Sequence, residues 1–128
     1  MKFLLQLACG IAFLTAAEAK TAQPERWYQE RVAAVLQGKM EVRVEDGRVD
    51  VLTGTHAIEV EFAAKWKNSI GQALWYAMQT NKAAGIVIVI EDAKRDRPDA
   101  IRLGSLIASQ KLPIKLWLWP DDFVKPKS

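Results

Sequence analysis

The sequence predicts an α/β domain in which three antiparallel strands are followed by a buried strand, all flanked by helices. The chain has 128 residues, 50% of them apolar, and a net charge of +3, which suits one globular domain and excludes disordered, collagen-like and multi-domain classes. Two turn dipeptides, Asp46-Gly47 and Gly54-Thr55, separate three runs of alternating apolar and polar residues, the pattern of two consecutive hairpins. The β-branched run from Ile86 to Ile90 does not alternate, which predicts a strand buried on both faces.

Residues 1–19 are predicted to be a secretory signal peptide rather than part of this domain. Lys2 precedes an apolar run from Phe3 to Ala16, and Ala17-Glu18-Ala19 matches a small-x-small cleavage site. The run is shorter than the roughly 20 residues that a membrane-spanning helix needs, and an uncleaved buried helix is the alternative. Cleavage would leave Lys20 to Ser128, an exported periplasmic or secreted domain with no cysteine and hence no disulfide or thiolate metal site.

Apolar spacing assigns the remaining elements in order. The predicted order is a helix at 24–37, strands at 40–45, 48–53 and 57–62, a helix at 65–80, a strand at 86–90, a helix from Pro98 to about Gln110, and a strand at 114–119. Gly38 ends the first helix, and Pro98 suits the first turn of the last one. This assignment leaves a basic loop after the buried strand, formed by Lys94, Arg95 and Arg97.

The two tight turns predict which residues face each other across the hairpins. A two-residue loop in the second hairpin places Asp50 opposite Glu59 and Arg48 opposite Glu61, and one in the first places Arg43 opposite Asp50. One face of the sheet is then polar and consists of Glu41, Arg43, Glu45, Arg48, Asp50, Glu59 and Glu61. The other is an apolar core face and consists of Val42, Val44, Val49, Val51, Ile58, Val60 and Phe62.

Asp50 and Glu59 form a like-charge pair that folded proteins normally avoid. Directly opposite carboxylates about 5 Å apart at Cβ repel by roughly 3 kcal/mol at an effective dielectric of 20. A neighbouring cation such as Arg43, a shared proton or a metal ion is needed to offset this repulsion. The alternative is a solvated sheet face on which Arg43 and Arg48 simply pair with these acids.

The helix at 65–80 carries a polar stripe close to those acids. Lys65, Ser69, Gln72 and Tyr76 are at helical spacing and share one face. Such a stripe is usually solvent surface, but this one begins just after the acidic strand ends, which brings Lys65 within reach of the acids. The sequence contains no glycine-rich phosphate loop, Ser-His-Asp set or zinc-ligand spacing, so the acids and this stripe are the candidate site.

These residues together resemble the PD-(D/E)xK nuclease superfamily, the restriction-endonuclease-like proteins. The matching pattern is Asp50, then Glu59-Val60-Glu61 on the next strand, then Gln72-x-x-x-Tyr76 on the following helix. The Gln-x-x-x-Tyr element is similar to that of the RecB-like branch. The αβββαβ order from Pro24 to Ile90 also resembles the core of that superfamily.

The resemblance implies a restriction-endonuclease-like domain over residues 20–128 that hydrolyses phosphodiester bonds of nucleic acid, DNA ahead of RNA, with Mg²⁺ or Mn²⁺. Asp50, Glu59 and the Val60 carbonyl would then be the metal ligands, and such hard oxygen donors suit these ions. A metal held there would neutralise charge on the phosphate and lower the pKa of the attacking water. A further acid of the family would correspond to Glu30 on the first helix, with Glu25 or Glu41 as alternatives.

The sequence departs from the family pattern at Glu61, which stands where the family has lysine. Some restriction enzymes of the superfamily also carry Glu there, resembling a general base. Alternatively, Lys65 supplies the missing lysine from the helix, or the site has lapsed and Glu61 pairs with Arg48 in a binding protein without catalysis. The catalytic set that the resemblance implies is Asp50, Glu59, Glu61, Lys65, Gln72 and Tyr76.

Overall fold

A five-stranded mixed sheet with helices on both faces forms the protein in a computed structural model, which describes residues 22–124. The helices are α1 (Glu25–Leu36), α2 (Trp66–Thr80) and α3 (Ala93–Ser109). The strands are β1 (Lys39–Val44), β2 (Gly47–Leu52), β3 (His56–Phe62), β4 (Ala83–Val89) and β5 (Ile114–Trp119), and 3₁₀ turns follow at Ala63–Lys65 and Asp121–Phe123. The α/β class, the element order and the flanking helices predicted from the sequence are confirmed.

The strands lie in the sheet in their order along the chain. β1, β2 and β3 pair antiparallel, whereas β3 with β4 and β4 with β5 pair parallel. Residues 86–89 of the β-branched run lie in β4, which begins earlier than predicted, at Ala83, and ends before Ile90; its residues from Ala84 onward are all buried. This confirms the buried strand, because a strand inside a sheet covered on both faces has no solvent side to alternate with.

Alternate residues of β4 divide the interior into two layers. Ile86 and Ile88 pack against α2 and α3, with Leu103 of α3 fully buried among them. Val87 and Val89 point to the opposite layer, where they pack with residues of α1 and with Ile58 and Val60 of β3. The site described below therefore lies on a sheet held from both sides.

The register of the first hairpin differs from the prediction. Arg43 lies opposite Arg48, and Val44 lies opposite Gly47, so the turn residues are Glu45 and Asp46. The predicted pairing of Arg43 with Asp50 is wrong, and Arg43 does not offset the acidic pair. Gly47 begins β2 with φ of 138° and faces the hydroxyl of Tyr76, which would clash with any Cβ at Gly47. The glycine is thus needed in the strand beneath α2 rather than in the turn.

The second hairpin has the predicted register at Val51 and Leu52 but diverges beyond them. The predicted ladder pairs of Asp50 with Glu59 and of Arg48 with Glu61 do not form. Thr53 donates its N–H to the His56 carbonyl at 2.9 Å across the Gly54-Thr55 loop, and Val51 lies opposite Ile58. Further along, the Asp50 carboxylate accepts the N–H of Val60 at 2.9 Å, in place of a backbone acceptor.

As a result, the valines of β2 do not share one apolar layer. Val51 packs with α1, whereas Val49 packs with Ala57 and Tyr76 in a separate cluster. The predicted single apolar face of this hairpin is therefore wrong, because β2 leaves the regular ladder at Asp50.

Helix α3 begins at Ala93, earlier than the predicted start at Pro98. The Asp92 side chain caps it by accepting the Arg95 N–H at 3.0 Å. The buried Asp96 accepts the Asp92 N–H at 3.1 Å and the Arg95 guanidinium at 2.6 Å, which fixes the first turn. The residues predicted to form a basic loop are therefore helical: Lys94, Arg95 and Arg97.

The predicted signal peptide, residues 1–19, lies outside the described residues. Within residues 22–124, none of the helices combines the length and apolar character that crossing a membrane requires.

Candidate active site

A polar pocket of about 350 Å³ opens where β2 diverges from β3. Side chains from α1, α2 and the first three strands line it: Glu25, Gln29, Glu41, Arg48, Asp50, Glu59, Gln72 and Tyr76. The structure thus brings together four of the six residues in the predicted catalytic set, Asp50, Glu59, Gln72 and Tyr76.

The carboxyls of Asp50 and Glu59 lie at the buried end of this pocket. Glu59 is only 5% exposed. Its neighbours Ile58 and Val60 face α1, so Glu59 lies on the face of the sheet that α2 covers. The two carboxyls are close enough to share a proton, and Glu59 Oε1 is buried with no N–H or O–H donor bonded to it. Such an oxygen is costly to bury and is normally satisfied. The alternative of a plain solvated face is therefore wrong for Glu59.

A proton shared by this pair offsets the like-charge repulsion. Burial raises the pKa of Glu59, and the charge of Asp50 raises it further. Burial also raises the pKa of Asp50. The hydrogen bond from the Val60 N–H stabilises the ionised carboxylate and so lowers this pKa in part. Since two ionised carboxyls in contact disfavour each other, one proton stays on the pair well above the usual carboxyl range.

Glu61 and Lys65 form a second charged group together with Glu25 of α1. Burial raises the pKa of Glu61 to about 7, with a contribution from the negative charge of Glu25, and the positive charge of Lys65 opposes this. Burial also raises the pKa of Glu25, again against the charge of Lys65. Lys65 is exposed at the start of α2, close enough to act on both acids. Arg48 pairs with Glu41 at 3.7 Å, which leaves Glu61 to Lys65.

The polar stripe of α2 divides into two parts. Gln72 and Tyr76 line the pocket, and Tyr76 is held in place against Gly47. Ser69 is fully buried and donates its hydroxyl to the Trp66 carbonyl at 2.6 Å, so it belongs to the packing of the helix.

The acid that α1 contributes to the pocket is Glu25. Glu30 is half-exposed, pairs with Arg26 at 3.2 Å and does not line the pocket. Gln29 also lines the pocket and is only 8% exposed. Sequence reasoning missed Gln29, although its place one helical turn after Glu25 predicts that the two share a face.

The donor set suits a hard divalent cation with few protein ligands. Among residues 22–124, no three His, Cys, Asp or Glu side chains converge as a metal cage would require. The predicted ligands include only two side chains, Asp50 and Glu59, with the Val60 carbonyl as the third donor. Mg²⁺ is usually held by one or two carboxylates and completes its shell with water and substrate phosphate. The unpartnered Glu59 Oε1 fits that role.

Comparison with known proteins gives a partial match. No family model and no solved structure matches the chain. Over 67 residues, the chain is 36% identical to the "Putative KilA-N domain-containing protein L33" of Acanthamoeba polyphaga mimivirus. The match covers 52% of this chain but only 27% of the viral protein, so it assigns neither a family nor a function.

Proposed function

We propose that the protein is a metal-dependent phosphodiesterase that acts on nucleic acid, with a restriction-endonuclease-like core. The observation that carries this proposal is the Asp50–Glu59 pair, two carboxyls that line one pocket, with Glu59 Oε1 buried and without an N–H or O–H donor. The αβββαβ order around it and the Gln72 and Tyr76 side chains in the same pocket support the proposal.

Asp50, Glu59 and the Val60 carbonyl would hold Mg²⁺ or Mn²⁺. When bound, such a metal neutralises charge on the phosphate and lowers the pKa of a bound water. The carboxyls must lose their shared proton to bind it, so binding strengthens as pH rises. Their position at the buried end keeps the ligating oxygens fixed, with the open side of the pocket left to substrate.

Glu61 and Lys65 have complementary roles in this proposal. A carboxylate with a pKa of about 7 takes a proton from water efficiently near neutral pH, which suits Glu61 to the role of general base. Lys65 would place its positive charge beside the phosphate and keep Glu61 ionised. Gln72 can donate amide hydrogen bonds to phosphate or sugar oxygens at the pocket wall.

Nicking of a supercoiled plasmid tests the proposal. We expect cleavage with Mg²⁺ or Mn²⁺, none in EDTA, and loss of cleavage in Asp50→Asn and Glu59→Gln. Asp99→Asn is the matched control, because it removes a carboxylate from α3 that pairs with Arg102 far from the pocket. Wild-type protein that is folded but inactive with every metal, or equal cleavage in Glu59→Gln, would contradict the proposal.

A second candidate is a nuclease-fold protein that binds its partner without catalysis. The observation that favours it is Glu61 at the family's lysine position, beside an acidic pair that a shared proton already stabilises. Glu61→Lys restores the family pattern and separates the two candidates. If that variant gains activity that the wild type lacks, the site is lapsed; if neither cleaves and both stay folded, only binding remains.

A further inference from the structure

We propose that Arg26 and Arg48 form an arginine clamp for a backbone phosphate of nucleic acid at the rim of the pocket, and that Glu41 occupies this clamp until the phosphate displaces it. The ligand class rests on the proposed function, but the clamp is a binding site separate from Asp50 and Glu59.

The clamp is defined by one carboxylate held between two guanidinium groups. Glu41 Oε1 accepts from Arg26 Nη1 of α1 at 3.1 Å. Its other oxygen, Oε2, lies 3.7 Å from Arg48 Nη1 of β2. A phosphate also offers several oxygens to guanidinium donors, and arginine is the side chain best suited to bind it. Glu41 therefore fills the place that a phosphodiester oxygen pair would take.

Glu41 reaches this place only in a strained backbone conformation. Its φ is 50°, although it lies within β1. Its neighbours Met40 and Val42 pair normally with β2, so the irregularity is confined to Glu41. The left-handed region is unfavourable for a glutamate and persists at functional sites where the surroundings enforce it. From this conformation the Glu41 side chain contacts both arginines.

The charges of the pocket explain why a phosphate needs this clamp. Glu25 and the Asp50–Glu59 pair, which keeps a negative charge beside its shared proton, repel an anion from the pocket. Arg48 is the one cationic side chain among the described residues that line it. Arg48 lies two residues before Asp50 on β2. A phosphate in the clamp would therefore be next along the nucleic-acid backbone to the phosphate at Asp50 and Glu59.

The clamp is also open to solvent. The side chains of Arg26, Arg48 and Glu41 are 62%, 60% and 37% exposed, so a phosphate can replace the carboxylate without opening the fold.

Binding of a fluorescein-labelled single-stranded DNA oligonucleotide in EDTA, measured by anisotropy at several salt concentrations, tests the clamp. We expect Arg26→Ala and Arg48→Ala each to weaken binding about tenfold, equivalent to about 1.4 kcal/mol, and to lower the salt slope by about one. Arg102→Ala is the control, because Arg102 is also 62% exposed and also pairs with an acid. Equal losses in Arg102→Ala would overturn the clamp.

Glu41→Gln tests the displaced carboxylate directly. It keeps the size of the side chain but removes the charge that competes with phosphate, so we expect severalfold tighter DNA binding. Asp99→Asn makes the same change of net charge on α3 and should leave binding unchanged. Unchanged or weaker binding in Glu41→Gln, or an equal gain in Asp99→Asn, would overturn the role of Glu41. Melting curves check that each variant is folded. If an alanine variant is not, Arg26→Lys or Arg48→Lys replaces it, and we expect the lysine variant to bind DNA more weakly than wild type.

Two further arms identify the ligand and keep the two proposals apart. Inorganic phosphate should displace the oligonucleotide only at far higher concentration, and equal affinity for phosphate alone would overturn the nucleic-acid assignment. Arginine-dependent binding in EDTA without cleavage in any metal would contradict the phosphodiesterase and leave the clamp. Cleavage that depends on Glu59 but on neither arginine would contradict the clamp alone.

Discussion

The carboxyl of Glu59 lies on β3 on the face of the sheet that α2 covers, and its burial controls the pH response of the site. Burial raises the pKa of Glu59, and the charge of Asp50 adds to this. A carboxyl whose pKa is higher in the folded state than in the unfolded state favours folding most when it is protonated. The metal-free protein therefore loses stability as this group is forced to ionise.

We expect the free energy of unfolding of the metal-free protein to fall as pH rises above 4.5, the pKa of a glutamate in the unfolded chain. The fall continues through about pH 7, the pKa of Glu61, to about pH 9, the pKa of Glu59. Glu59→Gln removes the ionisation and should raise stability at the alkaline end by at least about 1.4 kcal/mol, the free energy of one pKa unit. Denaturant unfolding in EDTA across this range measures both effects.

His56 contributes to the pH dependence of stability with the opposite sign. The comparison of wild type with Glu59→Gln cancels this contribution. Burial lowers the pKa of His56, so its contribution to stability is lost as pH falls below 6.5. Because wild type and Glu59→Gln both contain His56, their difference isolates Glu59. Parallel pH profiles for the two proteins would contradict the buried, protonated pair.

Gly47 is the second residue on which the site depends. An alanine there would adopt φ of 138° and clash with the Tyr76 hydroxyl. We expect Gly47→Ala to lower the free energy of unfolding by about 2 kcal/mol, as denaturant unfolding measures. We also expect it to move the Tyr76 side chain away from the pocket wall, which a crystal structure of the variant measures. Gly54→Ala is the control, since its Cβ would meet open space; equal losses in both variants would be contrary to this account.

At the scale of elements, the end of β3 and the start of α2 bring Glu61 and Lys65 together. The 3₁₀ turn Ala63–Lys65 joins them, so the charge of Lys65 lies close to the carboxyl that follows the buried Glu59.

If Lys65 orients the phosphate or water, Lys65→Ala should lower kcat by about 10²–10⁴, and Glu61→Ala should have little effect. If Glu61 is the base and Lys65 assists it, as we propose, both variants should lower kcat, Glu61→Ala by the larger factor, and the pH–rate profile of wild type should rise through about 7. Rates for both variants in Mg²⁺ decide between these roles. Unchanged rates in both variants of an active wild type would remove both residues from the reaction.

The elements were predictable because they depend on local pattern. Alternation and the Gly54-Thr55 loop predict the second hairpin correctly at Val51 and Ile58. Asp50 lies just beyond, where β2 diverges, and its carboxylate accepts the Val60 N–H next to Glu59. The first hairpin was not predictable, because its register depends on the packing of Gly47 under Tyr76, which is distant in the sequence.

The residues of the candidate site were predictable only where they lie on elements that follow one another in the chain. Asp50, Glu59, Gln72 and Tyr76 converge as expected from two strands and the next helix. Gln29 and Glu25 come from α1, and no local pattern indicates which turn of that helix crosses the pocket. The burial of Glu59 likewise depends on the packing of α2 over its face of the sheet, which no local pattern indicates.

At the scale of the whole molecule, the small net charge of +3 leaves recognition of a polyanion to a few placed cations. The predicted export signal bears on where such an activity would operate. We expect processing between Ala19 and Lys20, because Ala17-Glu18-Ala19 matches the small-x-small pattern. Intact mass of the exported protein measures this, and a periplasmic or secreted chain that retains Met1 would refute it.

Metal binding is the property on which the whole account depends. Titration of Mn²⁺ into the metal-free protein by calorimetry near neutral pH, in buffers of different ionisation enthalpy, measures it without any substrate. We expect binding with release of the shared proton of Asp50 and Glu59, a rise in Tm by mass action, and loss of both effects in Glu59→Gln. Equal Mn²⁺ binding by wild type and Glu59→Gln, or no binding by the folded wild type, would contradict it.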